Sequence, residues 1–367
     1  MVYLIIVIFL SYVLFVVLLI SGWQKISSYS LPPVRHDHFM TVVIPVRNEE
    51  HTIAILLADL ARQHYPAFEV IVVDDHSVDN TAHVVKSFVS SNSSFRFLTN
   101  REEGKKQALT FGIQEARGTV IVTTDGDCRV SDAWLELINH NFQEDRIAMA
   151  FGGVAINQGG NFFADVQAIE FSSLIGSGAA AWAWGYPIMC NGANLAFRKK
   201  VFEEVNGYAD NISVASGDDE FLLRKVLAVY PKGLSFLSDA NTVVRTQPSG
   251  SVKDLLRQRI RWAGKWRHNT SPYAKLLAVY IFLIQVIFLV AMVLLFSRDG
   301  QVRSVAIGIL IVRFVMEAFF LHRVCSFLNV RWRWTAYIVL QVIYPLYVVG
   351  TGLFSNFIPV TWKNRKI

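Results

Sequence analysis

Two kinds of hydrophobic pattern divide the chain: long unbroken apolar runs, and short apolar runs separated by polar stretches. Residues 2–20 form the first long run, which is almost entirely Val, Ile, Leu and Phe. The run is about as long as a helix that crosses the hydrocarbon core of a membrane. Because it lacks a basic start and a small-residue cleavage site, we expect a retained membrane anchor at residues 1–22 and not a removed signal.

Between residues 38 and 250 the pattern changes to short apolar runs that predict strands of a parallel sheet buried on both faces. The first four of these runs are Met40–Pro45, Glu69–Asp74, Phe95–Leu98 and Thr119–Thr123. Stretches with apolar residues at helical spacing, Glu50–Gln63 and Asn80–Ser90, separate the first three. This alternation predicts an α/β domain with right-handed crossovers. A later block, Ala148–Gly153, predicts extra strands that complete a mixed sheet.

The last third of the chain is again strongly apolar. A linker near Gln247–Ser251 and a basic interfacial helix at residues 251–272 precede a membrane region at residues 273–367. Its three apolar segments are Leu276–Phe296, Val305–Leu321 and Thr335–Phe354. Arg313 and Glu317 lie four residues apart in the second segment, and therefore on one helical face. A structural pair that faces another helix is favoured over a functional polar path.

An earlier apolar stretch, Leu174–Ala196, contains four glycines, a proline and two asparagines. These residues interrupt any helix long enough to cross a bilayer, so we do not expect a membrane span there.

Composition supports a membrane protein. Of the 367 residues, 53% are hydrophobic and 17% are charged, and the mean hydropathy is +0.35, which is too apolar for an ordinary soluble enzyme. The net charge is +6, but the basic residues gather beside apolar segments, as at Arg331 and Arg333. We therefore expect contact with a lipid surface and no nucleic-acid partner. Three widely spaced cysteines predict neither a disulfide framework nor a zinc site, and fit a reducing compartment.

Acidic residues follow the fourth predicted strand. Asp125 and Asp127, one residue apart, can form an oxygen-ligand site for Mg²⁺ or Mn²⁺ on a diphosphate. The carboxyl ends of parallel strands are also where open α/β sheets bind ligands. A turn is the alternative role for such a pair taken alone.

Polar residues also follow the other strands. Asn48 and Glu49 follow the first, and the adjacent Asp74 and Asp75 end the second. Two neighbouring carboxylates after a buried strand need donors, such as a nucleotide base or ribose hydroxyls. Lys105 begins a basic helix after the third strand, where it can contact a diphosphate. The alternatives are helix caps for the acidic and amide residues and a solvated side chain for the lysine.

Seven motifs in chain order resemble those of the family 2 inverting glycosyltransferases. They are Ile44-Pro-Val-Arg-Asn-Glu49, Val73-Asp-Asp-His-Ser-Val-Asp79, Gly104-Lys105, Asp125-Gly-Asp127, Asn191-Gly-Ala-Asn-Leu-Ala-Phe-Arg198, Ser216-Gly-Asp-Asp219 and Gln258-Arg-Ile-Arg-Trp262. Each motif alone is weak, but the ordered set over residues 40–265 is specific. The resemblance implies a Rossmann-like GT-A domain with a mixed, mostly parallel sheet, on the cytosolic side of transmembrane helices.

The resemblance also implies roles on the donor side. Asp75 would read the nucleotide base, and Pro45, Asn48 and Glu49 would shape that pocket. Asp127 would hold the divalent cation, Asp125 would lie against the ribose or the sugar, and Lys105 would lie near the nucleotide.

On the acceptor side, Asp219 matches the general base, and Asp218 remains the alternative; an acid-rich helix start is the structural interpretation. Gln258, Arg261 and Trp262 would close the site beneath the acceptor and contact the diphosphate. An interfacial amphipathic helix that includes Trp266 is the alternative for that segment. Asn191, Asn194 and Arg198 would line the acceptor side, unless their bonds only hold a loop.

Together these features predict a hexosyl- or N-acetylhexosaminyl-transferase of a bacterial inner membrane. We expect a nucleotide-diphosphate sugar as donor, with a UDP-sugar preferred, and a lipid or lipid-linked saccharide as acceptor. A processive polysaccharide synthase is the first alternative, although such members usually carry more membrane helices. A non-catalytic membrane scaffold with a nucleotide-binding domain is the second.

The predicted orientation contains a conflict. If the globular domain is cytoplasmic, counting three later spans puts Lys363–Lys366 outside, against the positive-inside bias. Either Thr335–Phe354 is re-entrant or interfacial, or the charge bias is overridden here.

Overall fold

The computed structural model describes residues 2–26, 38–209, 217–264, 272–354, 361–362 and 365–366, without side chains for residues 2–4 and the last four. Ser216, Lys265–Arg267, Lys363 and Asn364, which belong to predicted motifs or charged flanks, lie outside these ranges. The chain divides into two units. The sheet unit comprises Ile26–Asn157 and Met189–Gln247, and the helical unit comprises Met1–Lys25, Gln158–Ile188 and Pro248–Ile367.

The sheet unit contains a seven-stranded mixed sheet. Its strands are β1 Met40–Val46, β2 Phe68–Asp74, β3 Phe95–Thr99, β4 Val120–Thr123, β5 Met149–Gly152, β7 Leu195–Arg198 and β8 Leu234–Leu237. The order across the sheet is β3-β2-β1-β4-β7-β5-β8. The four neighbouring strands β3, β2, β1 and β4 are parallel to one another. Strand β7 is antiparallel to both of its neighbours, and β5 is parallel to β8. The predicted α/β architecture with a mostly parallel sheet is confirmed.

Helices follow the strands of the parallel half. They are α2 Ile53–Ala61, α3 Thr81–Val89, α4 Lys105–Gln114 and α5 Trp134–Phe142, with α7 Lys199–Glu204 and α8 Asp218–Val229 later in the unit. Helix α4 packs on β1 and β2. All of β4 and nearly all of β1 and β2 are buried, because their continuous apolar sequences are covered on both faces.

The strand order indicates where the sheet would bind a ligand. Successive strands run from β1 to β2 to β3 in one direction, and β4 then pairs on the other side of β1. Open α/β sheets bind ligands beyond the carboxyl ends of strands where the order reverses in this way. In this sheet, that point lies between the loops that follow β1 and β4.

A second, two-stranded sheet adjoins the loop after β4. It pairs β6 Val154–Ile156 with β9 Val244–Thr246 in parallel. The backbones of Arg129 and Arg245 exchange hydrogen bonds of 2.8 and 3.0 Å. The segment that carries Asp125 and Asp127 is therefore tied to β9.

The helical unit contains α1 Val2–Ile26, α6 Phe162–Ala183, α9 Val252–Gly264, α10 Pro272–Leu294, α11 Gly300–Phe327 and α12 Trp334–Phe354. Within the described residues, four helical segments are long and apolar enough to cross a membrane: Ile5–Ile26, Pro272–Leu294, Gly300–Phe327 and Trp334–Phe354. They coincide with the four predicted apolar segments. Two-residue strands, β10 Thr361–Trp362 and β11 Arg365–Lys366, follow α12.

Helix α6 was not predicted as a helix. Its sequence lies within residues 38–250, the predicted extent of the α/β domain, but the helix groups with the helical unit. It covers the first half of the interrupted apolar stretch, and it is not among the four candidate spans found in the described residues. Asp165 and Glu170 are buried within it, which is consistent with packing against protein rather than lipid.

Arg313 and Glu317 form a polar network inside the helical unit. Arg313 Nε donates to Glu317 Oε1 at 3.2 Å, and Gln341 Nε2 of α12 donates to Glu317 Oε2 at 2.6 Å. The Tyr12 hydroxyl of α1 also donates to Glu317. These bonds connect three apolar helices through one carboxylate, as the structural interpretation of the pair predicts.

Candidate active site

The loops after β1 and β2 brace each other. Asn48 Oδ1 accepts from the backbone N of Val78 at 2.9 Å, and Asn48 N donates to Ser77 Oγ at 3.0 Å. Glu49 N donates to Thr81 Oγ1 at 2.7 Å. Asn48 has a φ of 51°, a left-handed conformation that asparagine tolerates better than most residues. Asn48 therefore fixes the neighbouring loop and does not cap α2.

Asp75 is buried where β2 ends. Its Oδ1 accepts from Gly104 N at 2.8 Å and from Asn100 Nδ2 at 3.1 Å, and its Oδ2 lies 3.9 Å from Arg47 Nη1. Gly104 has a φ of 124°, which only glycine adopts without strain. Asp75 thus holds the start of α4, with the predicted pocket residue Pro45 in register with Val73 on the adjacent strand.

Asp125, Gly126 and Asp127 lie against the end of β1. A Cβ atom on Gly126 would lie 2.9 Å from Val46 Cγ1 and 3.2 Å from Glu49 Cγ, so the position needs glycine. Thr246 Oγ1 of β9 donates to Asp127 Oδ2 at 3.2 Å. The close approach places this acidic segment beside Glu49, at the point where the strand order reverses.

Lys105, the first residue of α4, joins two acidic segments. Its Nζ lies 2.7 Å from Asp125 Oδ1 and 3.6 Å from Asp218 Oδ2. Burial alone would lower the pKa of Lys105, but the negative charges of Asp125 and Asp218 outweigh burial and raise it. The ammonium group is therefore charged at physiological pH, and it pairs with both carboxylates.

The acidic pair Asp218 and Asp219 begins α8, directly after Gly217. Asp219 Oδ2 accepts from Gly192 N at 3.2 Å, and Thr123 Oγ1 at the end of β4 donates to Gly192 O at 2.7 Å. The start of α8 is thereby connected to the carboxyl end of the central sheet. The carboxylates predicted for the donor side and for the general base consequently meet at one edge of the sheet.

Tyr208 is a neighbour of this pair that the motif pattern did not reveal. Its ring is buried, and burial, together with the negative charges of Asp218 and Asp219, raises the pKa of its hydroxyl. The hydroxyl group is therefore neutral at physiological pH. No sequence motif places Tyr208 near Asp218 and Asp219, because their proximity depends on the tertiary fold.

The Asn191–Arg198 segment has a half-buried residue at each end and buried residues between them. Asn191 is half-buried, and its Oδ1 accepts from Ala193 N at 3.0 Å. Asn194 is fully buried; its Nδ2 donates to Gly153 O and Thr242 O, each at 2.8 Å. All of these bonds hold the loop, which supports the structural interpretation for Asn194.

Arg198 is engaged in a similar way. Its Nε donates to Ile147 O at 2.8 Å and its Nη2 to Phe142 O at 3.0 Å. These contacts secure the end of β7 to the turn before β5. Asn191, which is half-buried and bonded within its own turn, keeps its acceptor-side role as a prediction.

Gln258, Arg261 and Trp262 lie on α9 of the helical unit, and all three are half-buried. The ring of Trp262 lies 6.0 Å from that of Phe171 on α6. Trp266, on which the interfacial-helix alternative partly depended, lies outside the described residues. The segment is thus a helix packed on α6.

The residues at the sheet edge fit a divalent cation whose coordination is completed by a bound diphosphate. Among the described residues, no three His, Cys, Asp or Glu side chains form a cluster that could hold a metal by themselves. Asp127 offers one half-buried carboxylate, with Asp125 nearby. Mg²⁺ commonly binds through one or two carboxylates together with substrate phosphates, and keeps several waters.

Comparison with known proteins identifies the sequence family. The sequence model of glycosyl transferase family 2 matches residues 41–205. The probable glycosyltransferase YdaM of Bacillus subtilis is 28% identical over 272 residues, which are 71% of this chain and 60% of that protein. A poly-beta-1,6-N-acetyl-D-glucosamine synthase of Staphylococcus epidermidis is 26% identical over 225 residues, which are 59% of this chain and 52% of that protein. The chain thus spans half to two thirds of the length of these relatives.

A solved structure shares the fold. The mannosyltransferase PcManGT from Pyrobaculum calidifontis, in complex with GDP-Man and Mn²⁺, superposes with a TM-score of 0.58 at 15% identity, over 97% of this chain and 99% of that one. The matched family segment contains β1 to β7 and therefore the sheet edge where the acidic residues meet. Residues 41–205 therefore form a glycosyl transferase family 2 segment, and the chain has a GT-A fold.

Proposed function

We propose that this protein transfers a hexosyl or N-acetylhexosaminyl group, with inversion, from a nucleotide-diphosphate sugar to a lipid or saccharide acceptor. The observation that carries the proposal is the position of the Lys105 ammonium group between Asp125 and Asp218. A scaffold has no need for carboxylates from two distant segments to share one half-buried cation, whereas a transferase must place donor and base groups together.

On the donor side, Asp75 would contact the nucleotide base, within a pocket shaped by Pro45, Asn48 and Glu49. The bonds from Gly104 and Asn100 hold the Asp75 carboxylate in one orientation. Lys105 would attract the diphosphate, and Asp125 would face the ribose or the sugar. A rigid carboxylate loses little conformational entropy when it binds a base or sugar donor group.

Asp127 would hold a divalent cation, Mg²⁺ or Mn²⁺, together with oxygens of the donor diphosphate. When bound, the cation would offset the negative charge that collects on the departing nucleoside diphosphate. Thr246 would keep the Asp127 carboxylate oriented toward it through the 3.2 Å hydrogen bond.

On the acceptor side, Asp219 would take the proton from the attacking hydroxyl group. The new bond forms between the acceptor oxygen and the anomeric carbon, while the bond from that carbon to the diphosphate oxygen breaks. Attack from the face opposite the leaving group inverts the anomeric centre. Asp218, which shares Lys105 with Asp125, is the alternative base.

Names of related proteins support a nucleotide-sugar donor. The structure with the same fold is a mannosyltransferase with GDP-Man and Mn²⁺, and one relative is named for a polymer of N-acetyl-D-glucosamine. We propose a UDP-sugar as the preferred donor. Four apolar helices support a membrane location. We propose a bacterial inner membrane with the sheet unit on the cytoplasmic side, where nucleotide sugars are made.

A donor screen tests the function. Purified protein in lipid nanodiscs would be mixed with UDP- and GDP-linked hexoses and N-acetylhexosamines, a membrane lipid extract, and Mg²⁺ or Mn²⁺. We expect one donor to release nucleoside diphosphate in a reaction that needs both metal and lipid extract. Lys105→Met should abolish the release, and Lys232→Met, at an exposed position of the same unit, should not.

Absence of release with every donor, although nucleotide binds with a measurable Kd, would support the scaffold alternative. Release without any need for metal would remove the proposed role of Asp127 and leave the transfer itself intact.

A further inference from the structure

Arg259 is a buried arginine inside the α9 motif for which the transfer reaction assigns no role. Its side chain is 5% exposed, and that of Glu170 on α6 is 8% exposed. A charged group so far from water is costly unless an opposite charge and hydrogen bonds compensate it. The contacts of Arg259 therefore show what this position requires.

One edge of the guanidinium group is held by Glu170. Arg259 Nη2 donates to Glu170 Oε2 at 2.5 Å, and Nε donates to Oε1 at 3.2 Å. The Tyr347 hydroxyl of α12 donates to the same Oε1 at 3.3 Å. A two-point bond of this kind fixes the plane of the guanidinium group as well as its position.

The other edge and one face of the group contact the motif. Arg259 Nη1 donates to Gln258 Oε1 at 2.7 Å, and the Arg259 Cζ atom lies 4.4 Å from the centre of the Trp262 ring. One planar cation thus contacts two of the three residues that resemble the acceptor-closing motif. Stacking on an aromatic face requires a flat cation, which arginine supplies and lysine does not.

We propose that Arg259 is a positioning residue that, held by Glu170, sets the orientation of the Gln258 amide and the Trp262 ring for the acceptor. Its consequence for transfer depends on the proposed function, but its effect on the motif does not. Through Tyr347 the same carboxylate also connects the motif to the apolar helix α12.

Arg259→Lys separates positioning from charge, because it keeps the positive charge and loses the fork and the flat face. We expect kcat for transfer to fall at least tenfold, with the KM for the donor changed less than twofold. Arg257→Lys is the matched control, since Arg257 lies on the same helix, is 56% exposed and pairs only loosely with Asp254 at 3.7 Å. The control should retain wild-type kcat and KM.

A spectroscopic arm reports on Trp262 without needing activity. The protein would be labelled with 5-fluorotryptophan, and Trp262→Phe would identify the Trp262 ¹⁹F resonance. We expect that resonance to shift in Arg259→Lys and in Glu170→Gln, and to stay in place in Arg257→Lys. A melting curve of each variant would verify that the protein is folded.

An unshifted Trp262 resonance in both variants would overturn the proposal, whatever the kinetics. A shifted resonance with unchanged kcat would limit Arg259 to packing and would equally overturn it. If the wild-type protein transfers no sugar, the proposed function fails, while the ¹⁹F arm still decides whether Arg259 orients the motif.

Discussion

The two carboxylates of the Asp125-Gly126-Asp127 segment have different partners, and they should differ in function. Asp125 is paired with the ammonium group of Lys105, whereas Asp127 accepts hydrogen bonds from the Thr246 hydroxyl at 3.2 Å and from Cys128 Sγ at 3.7 Å. We expect Asp127→Asn to lower transfer by about 10²–10³-fold, the loss typical when one stabilising group for a developing charge is removed. Metal titration of nucleotide binding and of turnover would measure both effects.

Asp132→Asn is a suitable control for this substitution, because Asp132 is 44% exposed and pairs with Arg62 on the surface of the same unit. The control should bind nucleotide and turn over as the wild type does. Unchanged metal dependence in Asp127→Asn would contradict the assignment of this residue as the metal ligand.

The neighbouring carboxylates Asp218 and Asp219 can be distinguished by their contacts. Asp219 is bonded to Gly192 N, whereas Asp218 faces Lys105 at 3.6 Å. We expect Asp219→Asn to reduce kcat by about 10²–10⁴-fold, the usual contribution of a general base, with donor affinity retained. Asp218→Asn should mainly weaken donor binding, because Lys105 loses one of its anchors.

Equilibrium binding of the donor and single-turnover transfer, measured on both variants, separate these outcomes. If only Asp218→Asn stops transfer while Asp219→Asn remains active, the base is Asp218 and our assignment of the pair is reversed.

At the scale of elements, the sequence predicts the sheet better than the loops between its strands. Strands β1 to β4 lie within about a residue of the predicted runs. For β1, β2 and β4 the reason is that a strand buried on both faces requires continuous apolar sequence. Helix α2 begins at Ile53 and not at Glu50, because Asn48 to Glu50 bond instead to the loop after β2. A propensity argument does not detect such a bond between distant segments.

The candidate site was predictable in its residue types and less so in its contacts. The motif order placed Asp75, Lys105 and Asp127 at the sheet edge, since each of them follows a predicted strand. The bond between Lys105 and Asp218 depends on how α8 returns to the sheet, which no local pattern encodes. The buried roles of Asn194 and Glu170 likewise become visible only from their tertiary partners.

Glu69 on β2 makes the stability of the sheet unit sensitive to acid. Burial alone would raise its pKa, but hydrogen bonds from the backbone and side chain of Arg117 and from Thr41 outweigh burial and lower it. A carboxylate with a lowered folded pKa stabilises the fold above its unfolded pKa of about 4.3, and this stabilisation is lost as the pH falls through the folded pKa. We therefore expect wild-type stability to decline below about pH 4.5.

Glu69→Gln should lower the free energy of unfolding at pH 7 by about 1–3 kcal/mol, and its melting midpoint should depend less on pH between roughly 5 and 3 than that of the wild type. Differential scanning fluorimetry in detergent at several pH values measures this. Glu102→Gln, at an exposed position before α4, should reproduce the wild-type curve. Parallel acid curves for wild type and Glu69→Gln would show that other groups govern the acid transition.

At the scale of the whole molecule, the polar network among the apolar helices tests how the helical unit is held together. An unpaired charge in such an environment typically costs about 3–5 kcal/mol, whereas replacing both partners is often nearly neutral. We expect Arg313→Met and Glu317→Gln each to lower the melting midpoint, and the double variant to recover most of the loss. Size-exclusion profiles and melting curves in detergent complete this double-mutant cycle.

Additive losses in the double variant would mean that the pair is not the main partner of either charge. A double variant that is stable but no longer transfers sugar would favour the alternative of a functional polar path through the apolar helices.

Product length distinguishes single transfer from processive synthesis. A processive enzyme must retain its growing product while donors exchange, and resemblance to the family implies that such members usually carry more membrane helices. In this chain, four of the described helices are long and apolar enough to span a membrane. With a radiolabelled donor and acceptor in excess over enzyme, we expect one labelled sugar per modified acceptor, recovered in the organic phase. A chase with unlabelled donor should not lengthen that labelled product. The Asp219→Asn variant measures the background incorporation of radiolabel. Long water-soluble chains formed while most acceptor remains unmodified would show that the protein is a synthase, because only an enzyme that keeps its product extends few chains far.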